Sequence, residues 1–277
     1  MSLKGKISLL MLFFSLAVSA GSPAGILETV KYPCSNSEGP SERKMLVYLP
    51  RDYYETQRNY PVLYLIHGAR GTETAWVKNG DLLPSLDSLV AGGKAEEMIV
   101  VMPNMNHYED DKDFADSRNK AALESFFEVK GGVEKAFVSD VVDFVDERYR
   151  TVRSKRGRAI AGLSVGALQT IWISAHNPDT FDYVGLFSPL SRPFFCSGRD
   201  SDFYRGLPRL HKAQFADPPA LYWIMIGRWD IFRNHMEDYA SYLDERSYPY
   251  ELLLTGGGHG WRNWKPYCIL FMERLWK

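Results

Sequence analysis

The segment AIAGLSVGAL, residues 159–168, places Ser164 between Gly162 and Gly166, where an apolar run gives way to a helical pattern. A serine in a sharp strand-to-helix turn exposes its hydroxyl near the positive end of the helix, which suits a nucleophile. Glycine is required on both sides because a side chain there would collide with neighbouring backbone. A tight turn without chemistry is the alternative, since Gly and Ser are common in turns.

A serine nucleophile needs a base, and the base needs an orienting carboxylate. Among six histidines we favour His259, which follows a strand pattern and three glycines that let the backbone approach the serine. We favour Asp230 as the acid because it follows the apolar run 220–227 and lies between serine and histidine in the chain. His67 closes an earlier strand and is interpreted as structural, whereas His107 lies in a loop.

The negative charge that develops on a substrate oxygen needs two backbone N–H donors. The residue after the serine, Val165, supplies one. The loop LIHGARG, residues 65–71, bends at Gly68 and predicts Ala69 as the second donor. The sequence therefore contains every group that acyl transfer through a serine requires.

Strands and helices alternate along the chain and would place these residues along one edge of a sheet. Strands are predicted at 45–50, 60–68, 98–104, 157–162, 182–189, 220–227 and 250–258, and helices at 133–149, 166–178, about 234–246 and 264–276. This order predicts an α/β fold with a mostly parallel sheet and helices on both faces. In such sheets ligands bind at the carboxyl ends of the strands, where Ser164 is expected.

The chain resembles the putative-esterase family of α/β-hydrolases, which includes feruloyl and acetyl xylan esterases, S-formylglutathione hydrolases and mycolyltransferases. The resemblance rests on YPVLYLIHGARGTETAW, FVDERYRTVRSKRGRAIAGLSVGA, IGRWD and GGGHGWRNWK. It implies the α/β-hydrolase fold over residues 21–277, with Ser164 as nucleophile, Asp230 as acid and His259 as base. Two positions depart from the family pattern: Ala167 stands where a second glycine is common, and Ala69-Arg70 where glycines are frequent.

Residues 1–20 have the pattern of a secretory signal peptide, with a basic start, an apolar run over 7–18 and a small-residue cleavage site after Ala20. The apolar run is shorter than the roughly 20 residues that span a bilayer, so a membrane anchor is the less favoured alternative. We therefore expect an exported protein, periplasmic or secreted, without stable membrane insertion once the signal is removed.

Net charge, histidine spacing and cysteine count indicate which binding partners and cofactors to expect. A formal net charge of −1 gives no electrostatic basis for binding nucleic acid or an anionic membrane. No histidine pattern predicts a metal site, and the chemistry requires no cofactor. Cys34, Cys196 and Cys268 are too few for a disulfide scaffold, and the sequence leaves their pairing and the oligomeric state open.

The substrate is predicted in outline only. Trp229 and Trp261 flank the acid and the base and are candidates for substrate binding, as is Arg70, whereas Trp76 and Trp264 are expected to be structural. The polar stretch 104–130 could cover the site, or it could be an ordinary solvated loop. Family resemblance in an exported protein favours feruloyl or acetyl esters of polysaccharide or oligosaccharide. An acyltransferase using the same triad and a non-catalytic binding protein on the same fold stay as alternatives.

Overall fold

The computed structural model describes residues 25–35, 40–106, 128–196 and 199–277. The predicted signal peptide, His107 and most of the 104–130 stretch lie outside these residues. No helix in the described part of the chain is both long and apolar enough to cross a membrane.

A large sheet forms the centre of the fold. Within the described residues it has eight strands: β1 Ile26–Pro33, β2 Glu42–Leu49, β3 Val62–Ile66, β4 Ile99–Pro103, β6 Arg158–Leu163, β7 Tyr183–Phe187, β9 Leu221–Gly227 and β10 Glu251–Thr255. Short β5 (Glu128–Val129) and β8 (Phe195–Cys196) pair separately. The central strands β3, β4, β6, β7 and β9 are buried along nearly their whole length, as apolar runs in a parallel sheet require.

The strand order is β1-β2-β4-β3-β6-β7-β9-β10. Strand β2 pairs antiparallel with β1 and β4, and every other neighbouring pair is parallel. The carboxyl ends of β3, β6, β9 and β10 therefore lie along one edge, which confirms the predicted mostly parallel sheet.

Helices cover both faces of this sheet. They are α1 Ala75–Lys78, α2 Leu82–Ala91, α3 Gly132–Lys135, α4 Asp143–Arg148 with a π-helical turn Val138–Val142 before it, α5 Val165–His176, α6 Leu207–Gln214, α7 Arg233–Asp244 and α8 Trp261–Met272. Residues of α2 and α8 pack with one face of the sheet, and residues of α4, α5 and α7 pack with the other. This confirms the prediction of an α/β fold with helices on both faces of the sheet.

Several element boundaries differ from the sequence prediction. The last helix begins at Trp261 rather than Trp264, so these two indoles lie one turn apart on the same helix. The last strand ends at Thr255, because the three glycines after it form the turn that carries His259. Strand β1 and helices α1, α2 and α6 were not predicted.

Candidate active site

Ser164 occupies the turn between β6 and α5 in a conformation that few side chains adopt. Its φ of 56° and ψ of −121° lie outside the usual regions for a residue with a Cβ. A Cβ on Gly162 would lie 2.4 Å from the carbonyl oxygen of Gly166, and one on Gly166 would lie 2.2 Å from that of His67. Both glycines are therefore needed to hold this strained turn.

The structure brings Ser164, His259 and Asp230 into one hydrogen-bonded chain. The imidazole Nε2 lies 2.9 Å from the Ser164 hydroxyl, and Nδ1 lies 2.9 Å and 3.1 Å from the two carboxylate oxygens of Asp230. An ionised carboxylate only accepts, so Nδ1 carries the proton and Nε2 is left to accept from the serine. Ser164 is only 4% exposed and Asp230 6% exposed, so solvent competes little for these bonds.

Asp230 is held as a carboxylate by its hydrogen bonds. Burial alone would raise the pKa of Asp230, but donors from His259, from the backbone N–H of Phe232 and from the Ser188 hydroxyl hold it below its ordinary value. A charged acid can stabilise a positively charged imidazole, which is what a base needs after it has taken a proton.

Ser188 belongs to the site, and the sequence analysis missed it. It is fully buried directly after β7 with a φ of 54°, and its hydroxyl bonds to Asp230. The indole Nε1–H of Trp264 donates to the same hydroxyl at 2.9 Å. A serine at the carboxyl end of a central strand was the available signal, since the ligand edge of the sheet lies there.

Two aromatic rings hold the imidazole of His259 edge to face. The ring of Phe232 lies 4.7 Å away at 88°, and that of Trp264 lies 4.8 Å away at 90°. The glycine turn before His259 is tied to α8, because the Asn263 amide donates to the Gly256 carbonyl at 2.9 Å. The base is therefore fixed by contacts on several sides.

The loop after β3 lies directly against Ser164. A Cβ on Gly68 would come within 2.4 Å of Leu163 and 3.3 Å of the Ser164 Cβ, which places Ala69 beside the serine. The imidazole of His67 fixes this loop, since Nδ1 bonds to the Gly68 carbonyl at 2.8 Å and Nε2 accepts from the Met105 N–H at 3.0 Å. His67 thus has the structural role expected of it.

Val165 is the first residue of α5. The N–H groups of the first helical turn have no carbonyl partner within the helix. Val165 and Ala69 stay the predicted pair of N–H donors for a substrate oxygen.

A cavity of about 400 Å³ opens at Ser164 and His259. Its lining combines the loop after β3, helix α1, the start of α8 and the turn after β9: Gly68, Ala69, Arg70, Gly71, Ala75, Asn79, Leu163, Ser164, Ile231, His259, Trp261 and Trp264. This volume lies in the range of small-molecule sites.

Two of the three predicted substrate-binding residues line this cavity. Arg70 and Trp261 line it, but Trp229 does not, and the Trp229 side chain is largely exposed. Trp264, which was expected to be structural, also forms part of the wall and packs on the imidazole of His259. Trp76 is buried behind the wall, with its ring perpendicular to that of Trp261.

Among the described residues, His211 and the three cysteines do not line the cavity. His211 is buried among tyrosines, and burial lowers its pKa to about 3. Cys34, Cys196 and Cys268 are free thiols. Among the residues that the structure describes, no group of three or more His, Cys, Asp or Glu side chains could hold a metal ion.

A mostly parallel sheet with helices on both faces, and a serine turn at the carboxyl end of one strand, define the α/β-hydrolase fold. The family model described as "Putative esterase" matches residues 36–269. The chain belongs to this esterase family.

Solved structures with the same fold include a ferulic acid esterase and an S-formylglutathione hydrolase. A CE1 ferulic acid esterase from Anaeromyces mucronatus, in complex with ferulic acid, superposes with a TM-score of 0.71 at 21% identity and covers 92% of each chain. An S-formylglutathione hydrolase from Staphylococcus aureus superposes with a TM-score of 0.67 at 18% identity, over 91% of this chain and 99% of that one.

Curated relatives match about half of the chain. An endo-1,4-beta-xylanase/feruloyl esterase of Xylanibacter ruminicola is 37% identical over 147 residues, which are 51% of this chain and 19% of that protein. Esterase Rv1288 of Mycobacterium tuberculosis is 32% identical over 149 residues, 52% of this chain and 27% of that protein. The chain thus spans a minor part of each relative's length.

Proposed function

We propose that this esterase is a serine carboxylic-ester hydrolase that acts through an acyl-enzyme, with Ser164 as nucleophile, His259 as base and Asp230 as acid. The observation that carries the proposal is the continuous hydrogen-bonded chain from Asp230 through His259 to Ser164, of which His259 and Ser164 line a cavity. The strained turn at Ser164 supports it, because such strain persists where function requires it.

The reaction follows from the positions of these groups. Ser164 attacks the ester carbonyl while Nε2 of His259 takes its proton, and the N–H groups of Ala69 and Val165 receive the negative oxygen. His259 then gives the proton to the leaving alcohol. Water, deprotonated by His259, releases the acid from Ser164 and restores the hydroxyl. Neither step requires a metal or cofactor.

For the substrate we propose a feruloyl or acetyl ester of a polysaccharide or oligosaccharide. The indoles of Trp261 and Trp264, beside the small side chain of Ala75, give the cavity wall an apolar face that suits a flat aromatic acyl group. The family and the feruloyl esterase relative support the same choice.

We further propose that the protein is exported and that residues 1–20 are removed. The basic start and the apolar run that ends in small residues support this. Cell fractionation with intact-mass analysis tests it: a mass that begins at Gly21 outside the cytoplasm is expected. A full-length protein confined to the cytoplasm would contradict it.

The test of the reaction is hydrolysis of p-nitrophenyl acetate and methyl ferulate by wild-type protein and by a Ser164→Ala variant. We expect wild-type turnover, and a loss of kcat of at least about a thousandfold in the variant. A folded wild type that is no faster than the variant on both esters would refute the hydrolase. Transfer of the feruloyl group to an added sugar acceptor, instead of to water, would identify a transferase.

A further inference from the structure

The turn after β9 exposes two large apolar side chains on either side of the buried acid. Trp229 is 75% exposed and Ile231 is 72% exposed, whereas Asp230 between them is 6% exposed. Single exposed apolar residues are ordinary, but here two stand on one turn, and Ile231 also lines the cavity. We call these two side chains the patch.

The backbone under this patch is fixed. The N–H of Arg228 donates to the Thr255 carbonyl at 2.8 Å, and the N–H of Trp229 donates to the Gly257 carbonyl at 2.9 Å. The N–H of Phe232 donates to the Asp230 carboxylate at 2.9 Å. A surface held in this way is ready to bind, since little backbone freedom is lost when a ligand arrives.

The position of the base indicates which part of an ester reaches the patch. The leaving alcohol receives its proton from Nε2 of His259, so it must lie on the histidine side of Ser164. The turn that carries Trp229 and Ile231 is joined to His259 through the 2.9 Å bond to Asp230. The acyl group has the rest of the cavity, which the loop after β3 and Trp261 line.

We infer that Trp229 and Ile231 form the binding surface for the alcohol part of the substrate, and that this alcohol is a sugar. The inference rests on the proposed ester hydrolysis. A sugar ring has an apolar C–H face that stacks on an indole, while its hydroxyl groups stay in water. An exposed patch therefore binds a sugar without the cost of burying unpaired hydroxyls.

The test compares two feruloyl esters that differ only in the alcohol: methyl ferulate and a feruloylated arabinoxylan oligosaccharide. The ratio of their kcat/KM values, oligosaccharide over methyl, measures what the sugar contributes. In Trp229→Ala we expect this ratio to fall about tenfold, mainly through KM, as the loss of one stacked ring predicts. Ile231→Ala should lower it less, and Trp229→Phe should retain most of it.

Tyr54→Ala is the matched control. Tyr54 is 62% exposed and follows the carboxyl end of β2, the strand that runs against the others, so it lies at the opposite edge of the sheet. This variant should keep the wild-type ratio. An equal loss on both esters in Trp229→Ala, or no loss on either, would overturn the inference.

The outcome also separates this inference from the proposed function. If wild type hydrolyses neither ester, the hydrolase proposal fails first. If it hydrolyses both and the ratio is the same in wild type and Trp229→Ala, the hydrolase stands and the sugar surface is refuted. Binding of the same oligosaccharide without ferulate to the Ser164→Ala protein, measured by NMR, should weaken in parallel when Trp229→Ala is added.

Discussion

Ser188→Ala removes one hydroxyl that accepts from Trp264 and donates to Asp230. The Asp230 side chain is 0% exposed, so no water replaces the lost donor directly. A hydrogen bond to a charged group contributes about 1.5–3 kcal/mol. If this contribution goes into holding the carboxylate in place, kcat should fall by about tenfold to a hundredfold, with little change in KM.

The same substitution leaves the indole N–H of Trp264 buried without its acceptor. This should lower the free energy of unfolding by about 1–3 kcal/mol, measured by urea denaturation. The pKa of Asp230 should rise toward its ordinary value, because a donor that stabilises the carboxylate is gone. The loss in kcat should therefore be constant from pH 7 to 9 and grow only below about pH 4, where the Asp230 carboxylate of the variant is protonated before that of the wild type.

Trp264→Phe keeps a ring beside His259 but removes the indole N–H that orients Ser188. If Trp264 acts on Asp230 through Ser188, the double variant should be no slower than Ser188→Ala alone. The measurement is steady-state kinetics on methyl ferulate with the wild type, Ser188→Ala, Trp264→Phe and the double variant, which together form a double-mutant cycle. Wild-type kcat in Ser188→Ala, or independent losses that multiply in the double variant, would refute the reasoning.

Three further predictions test the turn, the core and the cavity wall. Gly166→Ala should abolish soluble, folded protein, because the new Cβ would lie 2.2 Å from the His67 carbonyl oxygen, and circular dichroism of a recovered native fold would contradict this. Burial lowers the pKa of His211 to about 3, so the unfolded chain takes up its proton first as pH falls below about 6.5. His211 should accordingly contribute about 2 kcal/mol to the loss of stability between pH 7 and pH 5, so urea denaturation of His211→Gln should show a pH-dependent loss smaller than that of the wild type by that amount. Trp261→Ala should raise KM for methyl ferulate several-fold more than KM for p-nitrophenyl acetate, and equal changes would place the aromatic acyl group elsewhere.

The sheet was predictable because its central strands are continuous apolar runs closed by Gly or Pro, a pattern that buried parallel strands require. The edge strand β1 was missed, since it alternates exposed and buried residues and begins within a few residues of the predicted cleavage site. Helix α1 has only four residues, too few for a periodic pattern to be recognised.

The arrangement of Ser164, Asp230 and His259 was also accessible from the sequence, because each directly follows a strand or a glycine turn. The place of Ser188 after a central strand was a signal, but its contacts with Asp230 and Trp264 were not predictable, because both residues are distant in sequence. The start of α8 is a similar case. The glycines before Trp261 mask the helix start, so the last helix was predicted from Trp264, and Trp264 was not among the candidates for the cavity wall that it helps to form.

The perpendicular indoles of Trp76, Trp261 and Trp264 lead from the buried side of α1 to the imidazole of His259. Indole fluorescence is quenched by a neighbouring charged imidazole, so this row of rings is an intrinsic optical probe of the cavity at Ser164 and His259. A change in the charge of His259, or an acyl group on Ser164, should alter the emission without any added label. Stopped-flow fluorescence could then follow acylation and deacylation as separate phases, even for natural esters that release no coloured product.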